Sequence, residues 1–249
     1  MPRFFIEDSL SSETSCLILK GADFHHIRDV LRLRTGDEII VCDGASQDLV
    51  CRLEKFLPDG VELTVLERSS NQSEPLYRVT LYQGLAKGDK MDTIIQKAVE
   101  LGAARIVPVS CQRSVTRLDE HNRDKKVQRW QRIAVEAAKQ CGRGQVPEVG
   151  PVLDFADAVS EAAQADLRLV PWEGERERSI REELEAAVNL PANPSISLLI
   201  GPEGGFDADE ITLALGAGIC PVTLGRRILR TETAGTAVLA MILYHFEDF

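Results

Sequence analysis

From residue 78 onward short apolar runs alternate with helical segments, and this alternation limits the fold more than any other feature of the chain. Strands are expected at 78–83, 105–109, 166–171, 195–200 and 220–224. Helices are expected at 89–101, 125–141, 179–188 and 207–215. Such alternation implies an α/β architecture with a mostly parallel sheet covered on both faces. Ligands of such sheets bind beyond the carboxyl ends of the strands.

The first part of the chain reads differently. Runs at 38–42, 49–53 and 61–66 are β-branched and apolar, with turn signals at Asp43-Gly44 and Pro58-Asp59-Gly60. One helix, about 22–33, interrupts them. The polar stretch Ser69-Ser70-Asn71-Gln72-Ser73-Glu74-Pro75 reads as a linker. The division is therefore a small β-rich domain over 1–72 and a larger α/β domain over 73–249. A chain of 249 residues has room for two such unequal domains.

No apolar run approaches the roughly 20 residues of a membrane span, and the N-terminus turns acidic at Glu7-Asp8 before it can form a secretory signal. A cytoplasmic protein without membrane contact is the expectation. Cys16, Cys42, Cys51, Cys111, Cys141 and Cys220 show no zinc or redox spacing, so no metal is expected. The net charge of −10 opposes nucleic-acid binding on average. Local sign matters more, and a binding face needs only a local excess. Arg113, Arg117, Arg123, Lys125, Lys126, Arg129, Arg132, Lys139 and Arg143 make the middle of the chain basic, as Arg28, Arg32 and Arg34 do the first domain. Lys125, Arg129 and Arg132 share a helix face, and the plain alternative for them is a solvated face.

Two loops stand out. The run Ser197-Leu198-Leu199-Ile200 leads into Gly201-Pro202-Glu203-Gly204-Gly205-Phe206 and then a helix. Asp207 with Glu210 has the form of a capping box, and Phe206 with Ile211 that of a hydrophobic staple. The glycines allow positive φ and close approach, so the loop can offer backbone amides to a ligand. It lacks the phosphate-loop and dinucleotide spacings, and a ligand-free tight turn is the alternative. The second loop is Leu224-Gly225-Arg226-Arg227-Ile228-Leu229-Arg230-Thr231-Glu232-Thr233-Ala234. Thr231 suits an N-cap and Glu232 the positive end of a helix dipole. The three arginines oppose that dipole, so something anionic is expected nearby unless Glu232 pairs with one of them. The following segment, from Ala234 to Leu243, is small and then apolar on nearly every face, which predicts a helix enclosed by the chain or by a partner.

These loops, together with Lys87-Gly88-Asp89-Lys90-Met91-Asp92, Gln96-Lys97-Ala98-Val99-Glu100-Leu101-Gly102, Glu136-Ala137-Ala138-Lys139-Gln140-Cys141-Gly142-Arg143 and His25-His26-Ile27-Arg28-Asp29-Val30-Leu31-Arg32, carry a family resemblance over nearly the whole chain. In that order they resemble the RsmE-type 16S ribosomal RNA uracil-N3 methyltransferases of the SPOUT superfamily. The pattern departs at Arg227, where less charge is expected, and at Trp172.

The resemblance implies an N-terminal PUA-like RNA-binding β-barrel, a C-terminal trefoil knot threaded by the last helix, and a homodimer. It implies methyl transfer from S-adenosyl-L-methionine to uracil N3 in small-subunit ribosomal RNA. Leu169, Pro171, Leu199, Ile200, Gly201, Gly204, Leu224, Gly225, Ile228, Leu229, Thr233 and Ala234 are the expected cofactor contacts. Arg230 is the expected stabiliser of the uracilate, with Glu203 the alternative proton acceptor. RNA contacts are expected at Arg28, Arg32, Lys125, Arg129, Arg132 and Arg143. The rivals are another SPOUT RNA methyltransferase, acting on transfer RNA or a different ribosomal base, and a catalytically silent RNA-binding assembly factor. A plain Rossmann enzyme lacks its Gly-rich first turn here.

Overall fold

Alternating apolar residues early in the chain build a curled sheet, and continuous apolar runs later build a parallel one. The computed structural model describes residues 1–6, 14–44, 47–116, 118–187 and 189–246. They divide into one unit of residues 1–74 with 138–146 and a second of 75–137 with 147–249.

In the first unit β1 (Arg3–Phe5) and β2 (Cys16–Lys20) precede α1 (Gly21–His25). A π-helical turn, His26–Val30, extends α1; β3 (Glu38–Cys42), β4 (Gln47–Phe56) and β5 (Gly60–Ser70) follow. The sheet order is β1-β3-β4-β5-β2, antiparallel except for β1 with β3. Register shifts at Val50/Cys51 and Leu53/Lys55 bend the long β4–β5 hairpin. Leu49, Cys51 and Leu53 point inward with Phe4, Phe24, Ile27, Ile39 and Leu63. The helix expected over 22–33 is shorter, because Arg32 takes the left-handed φ of 53° and cannot continue it.

The polar stretch at 69–75 does more than link. β5 runs through Ser70, and Asn71 donates to Asp48 (2.9 Å) and to the Gly142 carbonyl (3.2 Å). Glu74 binds Arg143 at 2.6 Å and accepts from the amides of Gly144 and Gln145. Arg143, expected on RNA, is instead buried in this pair, where a phosphate could not reach it. Hydrophilicity signals a linker only when the polar groups face water, and these face one another.

The second unit runs β6 (Arg78–Gly84), α2 (Lys90–Glu100), β7 (Arg105–Ser110), α3 (Glu120–Cys141), β8 (Glu148–Val149), β9 (Leu153–Asp154), α4 (Phe155–Ala162), β10 (Leu167–Pro171), α5 (Ile180–Ala186), β11 (Ser195–Ile200), α6 (Ala208–Gly216), β12 (Cys220–Val222) and α7 (Thr231–His245). Residues of α3 from 138 on belong to the first unit. All sheet pairings are parallel, in the order β12-β10-β11-β6-β7-β8, with β9 also on β7. The expected strands and helices are present with shifted ends: α3 starts at Glu120, and β12 stops at Val222. Residue 188, the expected end of the fifth helix, and Arg117 lie outside the described residues. Helix α4 was not expected. Its buried face is Phe155, Ala158, Val159 and Ala162, a spacing legible only when alanine counts as core.

Helix α7 packs centrally through small residues. A side chain at Gly235 would already touch Ile200, Gln83 and Leu81 at 3.6–3.8 Å. The chain alone does not enclose it all round: Thr233, Ala240, Met241 and Tyr244 are exposed on one side, Tyr244 by 75%. Among the described residues no helix is long and apolar enough to cross a membrane, and no cluster of His, Cys, Asp or Glu is placed to hold a metal ion.

Removing one member of a buried ion pair leaves an uncompensated charge. Glu74→Ala is expected to destabilise the first unit by on the order of 3 kcal/mol, read from urea unfolding. Arg143→Ala made on top of it should recover part of that loss.

Candidate active site

Pairing sets Pro171 beside Val222 and Ile200 beside Gln83, so β12, β10, β11 and β6 release their loops at one edge of the sheet. There the loops after β10, β11 and β12, with Lys90 and the start of α7, enclose a cavity of about 720 Å³.

Packing shapes the loop after β11. A Cβ on Gly84 would lie 2.5 Å from the Pro202 nitrogen, so only glycine lets β6 pass beneath it. Gly205 takes φ +68°. Phe206 anchors the loop end in the core against Phe155, 5.6 Å between ring centroids. The capping box forms: Asp207 and Glu210 satisfy each other's ends, and Ile211 is buried in the same cluster as Phe206. Asp207 also pairs with Arg113, and the Asp209 amide and Arg113 hold its carboxyl below the usual aspartate value.

The loop after β12 makes few internal bonds. Among the described residues no backbone amide from Arg226 to Arg230 is hydrogen-bonded within the chain, and Gly225 has φ +102°. Thr231 ends the loop, though not as an N-cap. Arg230 holds that position, and the Thr231 hydroxyl instead donates to the Gly201 carbonyl at 2.6 Å and accepts from Gln83 Nε2 at 2.8 Å. Gln83 is fully buried.

Lys90 is the electrostatic hub. Its ammonium lies 3.0 Å from Glu203 and 3.5 Å from Glu232, and the Glu203 hydrogen bond raises its pKa. Partial burial opposes ionisation of Glu203, but the Lys87 amide at 3.0 Å, its own amide and Lys90 outweigh it and hold the carboxyl below the ordinary 4.5. Glu232 thus pairs with a lysine of α2 rather than with a neighbouring arginine, because Lys90 reaches it across the fold. Arg226, Arg227 and Arg230 have no ion-pair partner among the described residues.

Of the residues singled out in the sequence, Arg230, Glu203, Pro171, Ile200, Gly201, Leu224, Gly225, Ile228, Leu229 and Ala234 line the cavity. Leu169 and Leu199 do not: they lie inside the sheet at 0% and 2% exposure, since strand interiors face helices rather than the open edge. Thr233 lies on the exposed side of α7, away from the cavity lining. Gly204 is also outside the lining; a Cβ there would lie 3.0 Å from Arg113, a tight fit set by the chain's own packing. Ile228 is 83% exposed and seals nothing within the chain.

The basic middle segment is largely neutralised. Arg113 pairs with Asp207, Arg123 with Asp154, Arg129 with Asp92 and Lys139 with Asp23. Lys125 and Arg132 remain exposed on α3. In the first unit Arg28 pairs with Asp29 and lies over the Phe24 ring, while Arg32 is exposed. Sequence reasoning assigned no role to Gln83, Lys90, Glu173 or Arg176. Only Lys90 had a signal, its place in the Lys87–Asp92 motif.

Residues 72–243 match a family model described as an RNA methyltransferase domain, and 19–66 one described as an RNA methyltransferase PUA domain. The chain is 36% identical over 250 residues to the ribosomal RNA small subunit methyltransferase E of Bacillus subtilis (strain 168), covering 99% of this chain and 98% of that one. It is 31% identical to the protein of that name from Mycobacterium bovis, over 96% and 90%. The crystal structure of a ribosomal RNA small subunit methyltransferase E from Neisseria gonorrhoeae bound to S-adenosyl methionine superposes with a TM-score of 0.86 at 33% identity, over 98% and 97% of the two chains.

Two substitutions test the geometry. Thr231→Val removes one of the two hydrogen bonds of the buried Gln83 Nε2, which keeps the Gly84 carbonyl, together with the bond to the Gly201 carbonyl, and is expected to cost about 1–3 kcal/mol in urea unfolding. Because the folded Glu203 pKa is depressed, its stabilising contribution is complete above pH 4.5 and is lost as pH falls through the lower folded value. Lys90→Met should move the Glu203 pKa upward in an NMR titration and shift that loss to higher pH.

Proposed function

We infer what this chain does from the family it belongs to, the RsmE-type ribosomal RNA methyltransferases of the SPOUT superfamily. It has that family's architecture, a small PUA-like curled sheet followed by an α/β trefoil-knot domain. It transfers a methyl group from S-adenosyl-L-methionine to N3 of a uridine in 16S ribosomal RNA.

The observation that carries the reading is the wall of the cavity: unpaired amides from Arg226 to Arg230 beside apolar Ile200, Leu224 and Leu229, with Arg230 at its end. That donor set suits an adenine, whose faces are apolar and whose edge accepts and donates hydrogen bonds. Bound there, the cofactor supplies an electrophilic methyl group on a sulfonium. The chain's own work is to hold the uracil in line and to favour loss of its N3 proton.

Arg230 has the qualities for the second task. It carries a guanidinium, has no ion-pair partner among the described residues, and stands at the start of α7. A guanidinium beside the base favours the uracilate that N3 deprotonation creates. Glu203 is the weaker candidate. Its carboxylate is held ionised by the Lys87 amide and Lys90, which makes it a poor proton acceptor and suits it to fixing Lys90.

Exposed Lys125 and Arg132 of α3, and Arg28 and Arg32 of the first unit, extend the RNA contact. Ala240, Met241 and Tyr244 of α7 form an apolar face that a second copy covers in a homodimer. The enzyme acts in the cytoplasm, on the small ribosomal subunit or its RNA.

Single-turnover methylation tests the role of Arg230. Arg230→Ala is expected to lose on the order of 10²-fold in rate with cofactor affinity nearly unchanged. Arg230→Lys should also fall well short, since a point charge does not reproduce the planar fork of donors. A rate that survives, or that falls only with cofactor binding, would make Arg230 structural.

A further inference from the structure

The charges around the cavity exceed what the cofactor can use. Arg176, Arg226, Arg227 and Arg230 all line it, and among the described residues none has an ion-pair partner. Of the acids that line it, Glu203 is committed to Lys90, and Glu175 accepts from the amides of Glu177 and Arg178. Glu173 has no partner among the described residues, so three carboxylates face five cationic side chains, Lys90 included, in the lining. S-adenosyl-L-methionine carries a sulfonium, an ammonium and one carboxylate. A site made for it alone would therefore be acidic, with one arginine for the carboxylate.

Arg230 is assigned to the base, and one further arginine suffices for the carboxylate. A surplus of fixed positive charge remains on the loop after β12, in a chain whose net charge is −10. Arg226 and Arg227 are adjacent, exposed and unpaired, and next to Ile228, which projects at the cavity mouth. Neighbouring like charges repel, and an anion held between them turns that repulsion into attraction.

Resting on the RNA methyltransferase reading, we propose that Arg226 and Arg227 form a subsite for the backbone phosphates flanking the target uridine. The base must leave its stack to reach the methyl group. Gripping the phosphates on either side holds the strand at the mouth while the base enters. Guanidinium groups match phosphate oxygens in geometry as well as charge. These two are positioning residues: they act on the RNA backbone and leave the reacting atoms to Arg230.

The test measures binding of a short single-stranded RNA carrying the target sequence, and of the same RNA with the target base removed, across a salt series. Wild type is compared with Arg226→Ala, Arg227→Ala and their Lys counterparts, with cofactor affinity followed by calorimetry. Each alanine should weaken both RNAs equally and lower the slope of log affinity against log salt by about 0.7. Lysine should restore most of it, because a point charge still binds phosphate. In turnover the loss should fall on KM for RNA far more than on kcat. An unchanged salt slope overturns the proposal. So does a loss confined to the RNA that retains its base, or one explained by weaker cofactor binding. Failure of the underlying reading looks different: a wild type that binds no cofactor, or methylates another atom, still leaves the salt slope of the arginine variants to decide the subsite.

Discussion

The hydroxyl of Thr231 joins three parts of the chain that are far apart in sequence. It donates to the Gly201 carbonyl and accepts from Gln83, so α7 starts beneath the loop after β11 and against the central strand β6. Strand β12 lies at the sheet edge, with β10 between it and β11. Residues 223–230 must therefore cross β10 to reach Thr231. A segment stretched over that gap cannot close helical or sheet bonds of its own, which accounts for the free amides at the cavity wall. The wall of the cavity is thus a consequence of where the last helix is anchored.

The same anchoring arranges the charges. Placing Glu232 in the first turn of α7 brings it to Lys90 of α2, which also holds Glu203. Both acids are thus drawn toward Lys90, and Arg226, Arg227 and Arg230 keep no ion-pair partner among the described residues. In the middle of the chain the opposite holds. Arg113, Arg123, Arg129, Lys139 and Arg143 find carboxylates across the fold. An acidic protein can still carry a local excess of positive charge where its arginines lack carboxylate partners, as Arg226, Arg227 and Arg230 do among the described residues.

Position in the fold separates the residues that look alike in a motif. Leu199 and Ile200 are adjacent, equally apolar and almost equally buried, at 2% and 3% exposure, yet only Ile200 lines the cavity. Gly201 and Gly204 belong to one motif, but Gly204 packs tightly against Arg113 while Gly201 lines the cavity. Arg143 and Arg132 both read as basic helix-region residues, and only Arg132 reaches solvent.

What the sequence determined by itself is local or periodic. The strand–helix alternation, the capping box at Asp207 and Glu210, and the glycines of the two loops are all readable because each depends on residues a few positions apart. The motif order was enough to identify the family for the same reason, since it is a linear pattern. Tertiary structure decided which of those residues do what. Lys90 as the partner of Glu232, Thr231 as a bridge rather than a cap, and Arg143 as a buried ion-pair member each depend on groups dozens of residues away. A charge or hydroxyl takes its role from the partner that folding brings within 3–4 Å, the range in which hydrogen bonds form and the attraction of a partly desolvated ion pair is several times thermal energy. No spacing along the chain encodes that partner.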